Sequence, residues 1–114
     1  MMEPRLATSV LVTSLMRRAE SEGGFAAVLS KGDSTAGAVL VILNEKGRKR
    51  RVLERVLQPG GAYSWQDMIT QAVEDEEQFT RLIERRRSFD PDLWLIELDV
   101  PSAERFAAEM NSVD

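Results

Sequence analysis

Arg86, Arg87, Asp90, Asp92 and Trp94 fall together in the stretch RRRSFDPDLWLIELDV, residues 85–100. Guanidinium groups, carboxylates and an indole are side chains from which a clamp for a partner or a polar ligand can be built. Arginine offers planar, directional donors, and tryptophan offers a large contact area. The same residues also suit a plain corner between a helix and a strand. In that reading Asp90 caps local N–H groups, Pro91 fixes φ, and an Arg–Asp pairing sets the exit angle.

A second set lies in GRKRRVLER, residues 47–55, where Arg48, Lys49, Arg50, Arg51 and Arg55 cluster. Such a run can grip phosphates through charge and counterion release. No aromatic residue is interleaved to stack bases, as sheet-type RNA readers require. On an edge strand the same cations would serve to block edge-to-edge pairing.

The remaining motifs carry less. GDSTAG, residues 32–37, spaces two glycines like the start of a phosphate-binding loop. Gly37 is followed by Ala38 and Val39, where that motif needs Lys and then Ser or Thr, and a strand pattern follows where it needs a helix. A hairpin loop is expected, with Asp33 bonding its own backbone. EDEE, residues 74–77, could hold magnesium but lacks a second acidic element nearby. A solvated helix face with a Glu77–Arg81 pair is the plainer reading. Acid–base chemistry would need Asp33, Asp90, Asp92 or Glu97 to converge in a cleft.

Composition narrows the choice. The chain has 114 residues, with no Cys and no His. Thiolate nucleophiles, disulfides, Cys-based metal sites and histidine-dependent triads are excluded within one chain. Any metal would need oxygen ligands. No catalytic, cofactor-binding or metal-ligating residue is assigned, no cofactor is expected, and the chain does not read as an enzyme. Its net charge of −4 gives no global pull towards nucleic acid or anionic membrane. The apolar stretch LATSVLVTSLM, residues 6–16, is too short to span a bilayer. Its arginines follow it, contrary to a signal peptide, so a cytoplasmic protein is expected.

These side chains must be positioned by a small set of elements. Apolar spacing predicts a helix over 8–22, capped by Thr8 or Ser9 and ended by Gly23 and Gly24. Residues 25–30 and 38–43 read as strands of one hairpin, the second covered on both faces. NEKGRK is a turn in which Gly47 takes positive φ, and 50–57 reads as an edge strand. QPGG, residues 58–61, suits a type II turn. Ser64 and Asp67 resemble a capping box, so a helix is expected over 65–87, either continuous or broken near 74. Pro91 stops it. Residues 93–100 form a strand, and Pro101 and Ser102 open a last helix that docks Phe106, Ala107 and Met110. The expected fold is a single α+β domain over 1–114, in the order α-β-β-β-α-β-α. Its antiparallel or mixed sheet has about four strands, with helices mainly on one face.

Two segments, LMRRAESEGGFAAVLSKGDSTAGAVLVIL (15–43) and RRRSFDPDLWLIELD (85–99), resemble a small family of alphaproteobacterial single-domain proteins grouped as a domain of unknown function. The family's RRGD…AG element appears here as SKGDSTAG, with Lys31 in place of a second arginine, and its FDPDLW element is intact. The resemblance implies one cytoplasmic bacterial domain and supplies no mechanism.

The first expectation is therefore a non-catalytic interaction or regulatory module, acting with a protein partner or as a homodimer, without membrane association. It requires an exposed apolar or mixed patch around Trp94 or Trp65. The alternative is an anionic ligand or RNA held by the 48–55 segment, which requires arginines converging on one face. A carboxylate enzyme with a divalent ion ranks last.

Overall fold

A computed structural model describes residues 7–68 and 75–112, apart from the side chains of residues 49, 50 and 112. The elements are α1 (Thr8–Ser21), β1 (Phe25–Ser30), β2 (Val39–Glu45), β3 (Arg48–Leu57), β4 (Tyr63–Asp67), α2 (Glu76–Phe89), β5 (Trp94–Val100) and α3 (Ala103–Ser112). The class is α+β with a mixed sheet. Five strands are present among the described residues, in the order β1-β5-β2-β3-β4, where about four were expected.

The sheet is built around its two most deeply buried strands. β2 and β5 run parallel, with Val41 beside Ile96 and Leu43 beside Leu98. Apolar runs covered on both faces belong at the centre, where both backbone edges are also paired. β5 therefore lies between β1 and β2, and the expected 25–43 hairpin does not form. β3 pairs with β2 on one side and with β4 on the other, so the 50–57 segment is not an edge strand.

The largest departure is at residues 63–67, where a helix was expected from 65 onwards. Tyr63, Trp65 and Asp67 instead alternate along β4 and lie beside Leu57, Arg55 and Leu53 of β3. Asp67 accepts two hydrogen bonds from the Arg51 guanidinium, at 3.0 and 2.7 Å. That fork outweighs a local cap, because a charge-assisted bidentate pair is about twice as strong per bond as a neutral one. Ile69, Ala72, Val73 and Glu74 of the expected helix lie outside the described residues. α2 begins at Glu76 behind Asp75, whose carboxylate accepts from the N–H groups of Glu77 and Gln78. Asp75→Ala is expected to cost about 1 kcal/mol of stability, as loss of an N-cap does. Urea denaturation would check it, and an unchanged midpoint would show that the cap contributes nothing.

Successive side chains of the sheet feed two cores. Val39, Val41, Leu43, Trp94, Ile96, Leu98 and Val100 face α1 and α3, which contribute Val12, Leu15, Ala19, Phe106 and Met110. Leu40, Ile42, Val52 and Leu95 face α2, which contributes Phe79 and Ile83. Two of the three helices share one face, and α2 covers the other. Each fully buried Leu, Val or Phe contributes roughly 1.5–3 kcal/mol. Arg18 of α1 bonds Glu109 of α3 and lies 4.7 Å over the Phe106 ring, which ties the two helices together. The hydrogen bond from Arg18, and then one from Arg105, holds the Glu109 carboxyl below its ordinary value.

Turns follow their residue types with one shift. Lys46 and Gly47 both have positive φ, as a two-residue primed hairpin turn requires. In QPGG the positive φ falls on Gly61 rather than Gly60. The β3–β4 link is thus a three-residue loop closed by Gln58 and Ala62, not a type II turn. Among the described residues no helix is long and apolar enough to cross a membrane.

Candidate functional site

The helix-to-strand corner is assembled by its own turn residues. Asp90 N–H closes α2 on Arg86 O, and Asp90 Oδ1 accepts from Asp92 N–H at 3.2 Å. Leu93 N–H then bonds Asp90 O at 3.1 Å. The acidic turn therefore does local backbone work before any other role.

The loop of residues 31–38 locks onto that corner. Asp92 O accepts from Asp33 N–H at 3.0 Å, and Trp94 Nε1–H donates to Asp33 O at 2.7 Å. The Asp33 carboxylate accepts from Thr35 and Ala36 N–H, as expected for a self-bonded loop. Gly32 and Gly37 both press against Asp92 O. The loop's other side caps α1. Thr35 O and Ser34 O accept the N–H groups of Thr8 and Ser9, and the buried Thr8 hydroxyl donates to Thr35 O and Gly37 O. α1 is capped by these carbonyls and not by a Thr8 or Ser9 side chain. Its N-terminal N–H groups are thus committed to protein, which leaves no phosphate cradle there.

Beside the corner opens a cleft of about 530 Å³, lined by Ser30, Glu84, Arg87, Ser88, Asp90, Pro91 and Leu93. Glu84, Arg87 and Ser88 share one side of α2 at i, i+3 and i+4. Between the cleft residues Ser88 and Asp90 sits Phe89, 81% exposed. The cleft thus offers a guanidinium, two carboxylates and two hydroxyls. Such a wall can pair with both the donors and the acceptors of an extended polar segment.

The five residues expected to form a clamp divide among different tasks. Arg87 and Asp90 line the cleft. Arg86 points to β3 and pairs with Glu54 at 2.7 Å, both partly buried. Asp92 serves the corner through its backbone. Trp94 lies in the core, 4% exposed, and Trp65 is half-buried against the same core. Trp94 therefore forms no exposed patch, whereas exposed Tyr63 and Leu57 lie beside Trp65 on the β3–β4 ladder. The most exposed large apolar side chains among the described residues are Phe89 and Phe25, with Val28 and Leu29 also exposed along β1.

Of the basic segment's three described side chains, two are engaged locally. Arg51 is held by Asp67, whose hydrogen bond raises the guanidinium above its ordinary value. Arg55 stacks over the Tyr63 ring at 3.9 Å. Arg48 is exposed at the β2–β3 turn, and the side chains of Lys49 and Arg50 lie outside the described residues. The carboxylates do not converge either. Asp90 lines the cleft, Asp33 bonds its own loop, and Glu97 accepts from Asn44 Nδ2 on another part of the sheet. Among the described residues no group of three or more acids could hold a metal ion.

Sequence reasoning missed Ser30, Glu84, Ser88 and Phe89. A helical wheel through Phe79 and Ile83 would have shown Phe89 off the apolar stripe, and Glu84, Arg87 and Ser88 sharing a side. Nothing local connects Ser30 to them.

The family described as "Protein of unknown function (DUF1491)" matches residues 6–108. The crystal structure of a DUF1491 family protein from Caulobacter crescentus is 32% identical to this chain. The alignment covers 90% of this chain and 94% of that one, with a TM-score of 0.77. The NMR structure of a DUF1491 family protein from the same organism is 31% identical, covering 91% and 94%, with a TM-score of 0.75. The solution structure of a protein from A. tumefaciens is 27% identical, covering 90% and 92%, with a TM-score of 0.73. No curated protein matches the chain.

Proposed function

We propose that this chain, which belongs to the DUF1491 family, is a non-catalytic interaction module that receives a polypeptide segment at the corner cleft. The observation that carries the reading is Phe89, the most exposed large apolar side chain among the described residues, placed in the chain between Ser88 and Asp90 of a polar cleft. An apolar anchor beside paired donors and acceptors is how a small surface holds an extended partner. Arg87 and the two serines would meet partner carbonyls, and Glu84 and Asp90 partner N–H groups or a cation.

The test is capture by the full chain from lysate of its native cell, after RNase treatment, with the retained polypeptides quantified by mass spectrometry. Defined polypeptides should be retained by the parent chain. Their binding should fall about thirtyfold with Phe89→Asp, the loss expected for a side chain worth ~2 kcal/mol. Arg48→Glu should leave it unchanged. Retention that vanishes with RNase, or that Arg48→Glu abolishes while Phe89→Asp does not, would transfer the function to the basic segment.

A further inference from the structure

The two edges of the sheet are treated differently. β4 pairs with β3, and on its outer side the Asn111 side chain of α3 closes over it. Asn111 Oδ1 accepts from Trp65 N–H at 2.7 Å, and its Nδ2 donates to Trp65 O at 2.9 Å. One side-chain amide thus occupies the central outward N–H and C=O of β4, at Trp65, and obstructs a further strand there.

β1 is the opposite case. Among the described residues it pairs only with β5. Its sequence, FAAVLS, holds no charge and no proline, the residues that ordinarily blunt an edge. Phe25 is 77% exposed, Val28 43% and Leu29 47%, and Ala27 is also exposed. A bulge sits at Leu29, so residues 25–28 form the regular part of the edge.

We infer that β1 is the interface of a homodimer, pairing antiparallel with β1 of a second copy about a two-fold axis through Ala27. A two-fold perpendicular to the sheet must centre on a residue, because directly opposite residues share a face. Centring on Ala27 sets Ala27 opposite itself. It also sets Ala26 opposite Val28 within the regular edge, and Phe25 against the Leu29 bulge of the other copy. Small then meets branched and ring meets leucine, with no like charges opposed. Charge complementarity selects the same arrangement. Exposed Lys31 follows β1, and exposed Glu22 precedes it. Antiparallel pairing carries each Lys31 towards the Glu22 end of the other copy, whereas parallel pairing would bring lysine to lysine. This inference is independent of the corner cleft, because it uses a different surface.

The experiment is light scattering on the full chain across a dilution series, with Ala27→Lys and Ala27→Glu variants. The parent should have twice the 12.8 kDa chain mass. Each variant places two like charges opposite one another at the axis and should be monomeric, with an unchanged circular dichroism spectrum. An equimolar mixture of the two variants should recover the dimer, since opposite charges then face each other. A monomeric parent, a dimeric variant or a mixture that stays monomeric would each overturn the inference. Should both variants fail to fold, hydrogen exchange of the parent decides. Those amides of residues 25–28 that point away from β5 should exchange more slowly at high concentration than at low, and equal rates would overturn the pairing.

Discussion

Trp94→Ala should lower the unfolding free energy by about 3–5 kcal/mol, the range for removing a large aromatic side chain from a core. The indole is 4% exposed and belongs to the same buried cluster as Val39, Ile96, Leu98 and Phe106. Its Nε1–H also holds Asp33 O at 2.7 Å, so the deletion leaves a cavity and strands a carbonyl. Trp94→Phe separates the two contributions. It keeps most of the apolar volume and should cost ~1 kcal/mol for the lost hydrogen bond. Urea denaturation with an unchanged m-value measures both. If Trp94→Ala cost under about 1 kcal/mol, far below a core deletion, Trp94 would have to be a surface residue and the clamp reading of residues 86–94 would return.

The second large effect is expected at Gly37. A Cβ there would lie 2.2 Å from Asp92 O and 3.0 Å from Asp33 N and O, all backbone atoms that cannot swing aside. Gly37 does not have positive φ, so the obstacle is space and not conformation. Gly37→Ala should cost about 3 kcal/mol, the upper part of the usual range for overpacking. Gly32→Ala meets the same carbonyl at 2.1 Å and should behave alike. Gly60→Ala is the control, because nothing lies within 4 Å of its Cβ and its φ is not positive. Comparable melting temperatures for Gly37→Ala and Gly60→Ala would show that the loop does not lock onto the corner as described.

These two predictions explain why GDSTAG and FDPDLW stand out as motifs. Neither is a catalytic signature. The glycines exist to let Asp92 O approach, and the DPD turn exists to present that carbonyl. The indole then holds the loop that caps α1. A motif read alone suggests a phosphate loop or a clamp, yet the two together form one structural joint. The cleft lined by Arg87 and Asp90, proposed above as the binding surface, opens beside this joint.

Much of the architecture is legible in the chain because it follows from local rules. Val12, Leu15 and Ala19 repeat at helical spacing and are buried, as are Phe106, Ala107 and Met110. The run from Val39 to Leu43 reads as a strand covered on both faces, and every member of it is buried. The Lys46–Gly47 turn and the stop at Asp90 follow from φ preferences. Periodicity and turn chemistry act over a few residues, so the sequence states them directly.

Strand neighbours and the β4 segment obey a different physics. Trp65 and Met68 can be read at helical or at strand spacing, and the deciding partners, Arg51 and Asn111, are remote in sequence. β5 is inserted between β1 and β2 and is buried on both faces, whereas FAAVLS, no less apolar, is left at the edge with Phe25, Val28 and Leu29 exposed. No local pattern compares the burial needs of strands some seventy residues apart. That comparison is made only when the chain closes and apolar area is removed from water as a whole. The cleft arises the same way, since Ser30 meets Glu84 and Arg87 only after β1 has been carried to the edge beside β5.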